Sequence, residues 1–103
     1  MKNPIALETK KFTPIRIILE HDTFVVADGT TGDGENNLAM RWMGETDESK
    51  GFPTSHSHPV WFIVHKDLRN ILISGLINSP LQGVDKGAII DSLKEIYSTD
   101  TAL

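Results

Sequence analysis

One run of the sequence, residues 60–64, is apolar at every position and reads Val-Trp-Phe-Ile-Val. A strand with one face in water alternates apolar and polar side chains, so an unbroken apolar run predicts a strand that is covered on both faces. We therefore expect the two large rings of this run, Trp61 and Phe62, to be buried. The layers that cover the strand must come from this chain or from a second copy of it.

Three further strands are predicted upstream of this run. Residues 15–20 and 23–27 are rich in β-branched side chains and are separated by His21 and Asp22, which predicts a tight hairpin. In the first of these strands, strict alternation places Ile15, Ile17 and Leu19 on one face. Residues 38–43 alternate again and predict a third strand. The glycine-rich residues 28–35 and the acidic residues 44–50 are predicted to be exposed loops.

The periodicity becomes helical after residue 66. Asp67 is a suitable N-cap, apolar residues follow at helical spacing, and the Asn-Ser-Pro run at residues 78–80 ends the pattern. A second helix is predicted from about residue 84 or 85 to about Tyr97. Its apolar positions are Ile89, Ile90, Leu93, Ile96 and Tyr97.

Four strands followed by two helices predict an α+β fold. We expect a single domain over residues 1–103, with a four-stranded, mainly antiparallel sheet and two C-terminal helices packed on one of its faces. Residues 1–13 are predicted to be an irregular arm and residues 98–103 a frayed tail. The sequence leaves the strand order open.

Two helices of about 12 residues cannot cover both faces of such a sheet. The face away from the helices is predicted to carry Ile18, Val25, Trp61 and Ile63, or their neighbours if the register is shifted by one residue. An exposed apolar patch of this size usually marks an interface, and most homo-oligomers are two-fold dimers. We therefore expect a homodimer that buries Trp61 and Ile63 between its two copies.

Composition excludes several classes of protein. The 103 residues include no cysteine, so disulfides and cysteine-ligated metal sites are excluded. No apolar run approaches the roughly 20 residues of a membrane span, and the first residues lack a signal-peptide pattern. The expected location is the cytoplasm, without a membrane partner.

The net charge of −4 is unevenly distributed along the chain. Residues 20–48 contain one basic residue, Arg41, and eight acidic residues, a net charge of −7. The acids are Glu20, Asp22, Asp28, Asp33, Glu35, Glu45, Asp47 and Glu48. Nucleic-acid binding requires clustered Lys and Arg, so this segment argues against it. It favours a basic protein partner, or simply well-solvated turns.

The segment before the apolar run holds the candidate site, Thr54, Ser55, His56 and His58. In an extended segment His56 and His58 point to the same side, which is compatible with zinc, although no third ligand is evident. A small hydrolase could use the same hydroxyl and imidazole groups, but no G-x-S-x-G elbow is present. Ordinary hydrogen-bonded loop histidines are the simpler interpretation.

Aromatic residues surround this segment. Trp42 and Trp61, with Phe52 and Phe62, could form a platform for a planar ligand, or they could pack in a core or an interface. The leading hypothesis is a non-catalytic, dimeric interaction or regulatory module. The alternative is a small hydrolase or metal-binding protein that uses His56 and His58, with Trp42 shaping the pocket.

Overall fold

The computed structural model describes the backbone of residues 3–101 and the side chains of residues 3–95. The elements are β1 Phe12–His21, β2 Phe24–Thr31, β3 Asn36–Trp42, β4 Thr54–Ser55, β5 His58–Pro59, β6 Phe62–Ile63, α1 Lys66–Ile77 and α2 Lys86–Thr101. A four-stranded antiparallel sheet has the strand order β1-β2-β3-β6, and β4 and β5 form a separate two-stranded hairpin. The predicted α+β class, with both helices after the strands and against one face, is confirmed.

The second strand is longer than predicted. Residues 28–31, expected to be part of a loop, continue β2, and only the turn at residues 32–35 separates it from β3. Gly29 explains the error, since a Cβ at this position would lie 2.3 Å from the Thr13 carbonyl oxygen and 2.6 Å from the Phe12 ring. This glycine therefore lets a neighbouring strand and ring approach closely, instead of marking a turn.

The first strand breaks the expected alternation at two bulges. Its pairing with β2 shifts register between Pro14 and Arg16 and again between Ile17 and Leu19. Each bulge adds a residue and reverses which face the following side chains occupy. The prediction that Ile17 and Leu19 share a face is therefore wrong, and Ile18 and Leu19 both enter the core on the helix side.

Apolar clusters cover both faces of the sheet. On the helix side the buried residues are Ile18, Leu19, Val26, Leu38, Val64, Ile73, Leu76 and Ile89. On the opposite side they are Phe12, Val25, Ala27, Ala39, Met43 and Trp61, with Leu7 packed against them. The second cluster lies on the face that was expected to be bare.

The N-terminal segment covers this second face. It contains a short 3-10 turn, Pro4–Ala6, and Trp61 Nε1 donates a 2.8 Å hydrogen bond to the carbonyl oxygen of Leu7. The Trp61 ring centroid lies 5.3 Å from that of Phe12. Residues 3–13 of the predicted arm are therefore a packed part of the domain, and β1 already begins at Phe12, while residues 1–2 lie outside the described residues. Because Trp61 is only 6% exposed and Ile18 and Val25 are buried, the predicted bare face is wrong.

The run at residues 60–64 is only partly a strand. β6 comprises Phe62–Ile63, and the expectation of burial is confirmed for Trp61, whereas Phe62 is exposed in the single chain and its burial by a second copy stays a prediction. Successive side chains of this run point to opposite faces. Trp61 meets the N-terminal segment, whereas Phe62 pairs with Met40 on the helix side of the sheet and keeps 61% of its surface exposed.

The helices begin and end close to the predicted positions, with two differences. The N-cap of α1 is His65, whose Nδ1 accepts a 3.1 Å hydrogen bond from the Asp67 amide, so Asp67 lies in the first turn. Helix α2 continues to Thr101, beyond its predicted end near Tyr97, so residues 98–101 are helical. The side chains of Ile96 and Tyr97, and residues 102–103 of the expected frayed tail, lie outside the described residues.

A buried carboxylate helps to hold α2 against the sheet. Asp28 of β2 is almost fully buried, and its ion-pair partner Arg16 of β1 also pairs with Glu95 of α2. Burial raises the pKa of Asp28, and this outweighs the Ser92 hydroxyl and the Arg16 guanidinium, which lower it. Ionised Asp28 therefore carries a desolvation cost that its partners only partly offset.

This cost predicts a pH dependence of stability. The ordinary pKa of an aspartate, which applies in the unfolded chain, is 3.8. Between pH 3.8 and the raised pKa of the folded protein, Asp28 retains a proton that the unfolded chain has released. Its contribution to the free energy of unfolding therefore falls as the pH rises through this window. Asp28→Asn removes that loss, so the stability of this variant relative to the wild type should increase with pH above 3.8, as measured by urea denaturation.

Asp33 provides a control of opposite sign. The Thr31 hydroxyl lowers the pKa of Asp33 in the folded protein. The contribution of Asp33 to the free energy of unfolding is therefore fully present above pH 3.8 and is lost as the pH falls through the lowered pKa. The stability of Asp33→Asn relative to the wild type should therefore decrease as the pH rises towards 3.8. A pH-independent difference for Asp28→Asn would contradict the interpretation of Asp28 as a desolvated carboxylate.

Candidate functional site: an aromatic face at one end of the sheet

The hydroxyl and imidazole groups predicted as a site lie on an exposed hairpin. Thr54, Ser55 and His58 belong to β4 and β5, and His56 and Ser57 form the two-residue turn with φ values of 51° and 65°. Two successive positive φ values are typical of a type I′ hairpin turn. The segment is therefore not extended at His56, and the argument that placed both imidazoles on one side does not apply.

A metal site gains no support from this geometry. Among the described side chains, residues 3–95, no group of three His, Asp or Glu residues is arranged to hold a metal ion. The four polar residues Thr54, Ser55, His56 and His58 are all exposed. The zinc-binding and hydrolase interpretations therefore rest on two solvent-facing imidazoles alone.

The two tryptophans lie on opposite faces of the sheet. Trp61 is enclosed beneath the N-terminal segment, whereas Trp42, at the end of β3, faces solvent on the helix side. The structure therefore does not bring this predicted pair together. It places Trp42 beside other aromatic residues.

Four aromatic side chains form one surface, which we call the aromatic face: Phe24, Trp42, Phe52 and Phe62. Trp42 pairs with Phe24 of β2 on one side and with Phe52 on the other. Ring centroids are 4.8 Å apart for Phe24 and Trp42 and 6.4 Å apart for Trp42 and Phe52. Phe62 pairs with Met40, two residues from Trp42 on the same face, so the four residues occupy neighbouring positions of the pleated surface.

The rings of this face are solvent-accessible. Trp42 is 50% exposed, Phe52 64% and Phe62 61%, while Phe24 is partly buried against the edge of the helix-side core. The helices bury Val26 and Leu38 further along the same sheet face. The helical layer therefore ends before it reaches Trp42.

A buried arginine holds the long connection that carries Phe52. The guanidinium of Arg41 donates to the carbonyl oxygen of Pro53 over 3.3 Å and also to those of Lys50 and Val60. Burial lowers the pKa of Arg41. The side chain thus joins three separated points of the connection between β3 and β6.

Backbone contacts then fix Phe52 beside Trp42. The Trp42 amide donates to the Phe52 carbonyl oxygen over 2.8 Å, and the Phe52 amide donates back over 2.9 Å. Gly51 makes this approach possible, since it has a φ of 62° and a Cβ there would lie 1.9 Å from the Trp42 carbonyl oxygen. Any other residue at position 51 would displace Phe52.

Acidic residues flank the aromatic face in the chain. Asp22, in the turn between β1 and β2, is two residues from Phe24, and the loop between Trp42 and Phe52 contains Glu45, Asp47 and Glu48. All four acidic residues are exposed. Lys50 is the basic residue of this loop. The surroundings of the aromatic face are therefore predominantly negative.

Sequence reasoning included Trp42, Phe52 and Phe62 among the platform residues and missed Phe24. A hairpin centred on Asp33, within the glycine-rich segment, would have placed Phe24 directly opposite Trp42. The missing signal is the length of the two strands, because the glycine-rich residues 28–31 predict a loop where β2 in fact continues. With β2 extended, the pairing of the two rings follows directly.

Comparisons with protein-family models, with curated proteins and with solved structures gave no match to this chain. Within the described part of the chain, neither helix combines the length and the apolar content that crossing a membrane requires.

Arg41 should be the main determinant of loop order at this site. Arg41→Met removes the donors to three carbonyl groups, and each buried polar group left unpaired costs about 1–3 kcal/mol, so we expect a loss of at least about 3 kcal/mol. Arg69→Met is the matched control, because Arg69 donates to one carbonyl, that of Asn36, and should cost about 1 kcal/mol. Urea denaturation measures both, and equal losses would contradict this role of Arg41.

Proposed function

We propose that this protein is a non-catalytic interaction module that binds a protein partner through the aromatic face. The observation that carries the proposal is the group of three neighbouring rings, Trp42, Phe52 and Phe62, each at least half exposed. Contiguous exposed apolar surface commonly marks a binding site, and Trp is among the residues that contribute most to protein interfaces. The cytoplasm is the compartment that we propose.

The catalytic alternative has weaker support. A hydrolase or a metal-binding site at Thr54, Ser55, His56 and His58 would require a further group near these side chains. In residues 3–95 no such metal-binding group converges on them. A nucleic-acid platform would combine stacking rings with a basic groove, but acidic residues flank the aromatic face.

Homodimer formation remains part of the proposal, but its interface must differ from the one expected from the sequence. Trp61 and Ile63 pack inside the domain. The other large apolar side chains that face solvent include Leu68 and Ile71, the latter 70% exposed, three residues apart on α1. Gly75 is one turn further on, and a Cβ there would meet no atom within 4 Å.

The α1 surface formed by Ile71 and Gly75 is complementary to the same surface of a second copy of the chain. In a two-fold antiparallel pairing of two copies of α1, Ile71 of each copy lies over Gly75 of the other, so a large side chain fills an open position twice. Residues four apart on a helix share a face, which allows both contacts to form at once. This arrangement leaves the aromatic face of each copy free for a partner.

Gly75→Leu tests the dimer. The added side chain has free space in the monomer and favours the helix by up to about 1 kcal/mol, but it blocks the pairing. We expect the wild type to sediment as a dimer at equilibrium and Gly75→Leu as a monomer with unchanged or higher thermal stability. Ile90→Ser, at an exposed position on α2, is the control and should remain dimeric. A monomeric wild type would contradict the proposed dimer.

Selection of binders tests the aromatic face without an assumption about the partner. Peptides enriched from a random displayed library against the wild type should bind Trp42→Ala and Phe52→Ala at least about thirtyfold more weakly, since interface hot spots cost about 2 kcal/mol or more. Ile15→Ala, which truncates an exposed apolar residue in β1 away from the His21–Phe24 pair, is the control and should bind as the wild type does. Failure to enrich any peptide, or enriched peptides that bind all variants equally, would contradict the proposed function.

A further inference from the structure

We infer that the partner of the aromatic face is a Lys- and Arg-rich amphipathic segment of another protein, an inference that rests on the proposed function. Apolar side chains of such a segment would lie on the rings of Trp42, Phe52 and Phe62. Its cationic groups would lie between these rings and the acidic residues that flank them. Both parts of this complementarity follow from the described side chains.

The charge around the face selects for cations. Asp22 adjoins Phe24 through the turn between β1 and β2, and Glu45, Asp47 and Glu48 lie in the loop that links Trp42 to Phe52. The lysines at positions 10 and 11 precede Phe12, which pairs with Thr31, so they lie at the opposite end of β1 from His21 and Phe24. Lys50, two residues from Phe52, is the basic residue of that loop, while Arg41 is committed to three backbone carbonyls.

The rings add a second attraction for the same groups. A guanidinium or ammonium group over the face of Trp or Phe is stabilised by about 0.5–1 kcal/mol at an exposed site and by more when it is desolvated. Trp gives the strongest interaction of this kind, and Trp42 lies at the centre of the row Phe24, Trp42 and Phe52. Arginine is well suited, because its planar group stacks on rings and also pairs with carboxylates.

Other occupants fit less well. A second copy of the chain seated on this face would bring Glu45 and Glu48 towards the same acidic loop of its partner, and like charges opposed across an interface are unfavourable. Nucleic acid and anionic lipid surfaces carry the same sign of charge as the flanking residues. A basic segment of another protein meets both requirements.

A defined probe tests this inference. The probe is a fluorescent, end-blocked peptide of Lys-Leu-Arg-Ala repeats, and its counterpart has Glu in place of every Lys and Arg. Fluorescence anisotropy at low and at physiological salt reports binding. We expect the wild type to bind the basic peptide and not the acidic one, with affinity that falls as salt rises.

Two sets of variants separate charge from ring contacts. Glu45→Gln combined with Glu48→Gln should weaken binding of the basic peptide by roughly fivefold at low salt and reduce its salt dependence, since exposed pairs contribute about 0.2–1 kcal/mol each. Phe52→Ala should weaken binding at both salt concentrations. The control, Glu35→Gln combined with Asp91→Asn, removes the same charge from exposed positions in the β2–β3 turn and on α2, and should bind within about twofold of the wild type.

The outcomes distinguish this inference from the proposed function. If the basic peptide does not bind, or binds no better than the acidic one, the inference is overturned. It is also overturned if the control variant loses as much affinity as Glu45→Gln/Glu48→Gln, because the effect would then be one of net charge. The proposed function survives these results if library-selected peptides, whatever their charge, still require Trp42 and Phe52.

Discussion

The guanidinium of Arg41 is the contact on which the rest of the candidate site depends. It lies inside the domain and joins Lys50, Pro53 and Val60, which are widely spaced along the connection between β3 and β6. Cations are rarely buried unless their donors are satisfied. Here three backbone carbonyls accept from its two terminal nitrogens, whereas its Nε is buried and has no hydrogen-bond partner among the described residues. The residue therefore costs a desolvation penalty and in return fixes an irregular segment. These contacts, with the two backbone hydrogen bonds between Trp42 and Phe52, hold the two residues side by side.

The sheet has different coverings on its two faces, and this difference creates the exposed surface. One face is closed by the N-terminal segment and by Trp61, whose indole N–H has a partner in the Leu7 carbonyl. The other face is closed by α1 and α2 over Val26 and Leu38, but not at Trp42. A short helical layer on longer strands leaves apolar sheet surface at one end, and in this protein that end carries four aromatic rings.

The fold class and the helices could be predicted from periodicity because each helix has a clear apolar face and α1 has clear end signals. Three features could not. The bulges in β1 depend on pairing with β2, Gly29 is needed because the Phe12 ring approaches it, and the covering of Trp61 depends on Leu7, far away in the sequence. The site was only half predictable for the same reason: aromatic content is visible in the sequence, but the face that each ring occupies is set by register.

The contact between Trp61 and Leu7 also has a consequence for how the domain is made. The two residues are 54 positions apart, so Trp61 must leave the ribosome before the face that contains Phe12 and Val25 can be closed. Closing such long loops is entropically costly and slows folding. Until then the hairpin of β1 and β2 exposes Val25 and Ala27 to other nascent chains. The order in which the strands are synthesised therefore leaves this face of the hairpin uncovered until Trp61 follows.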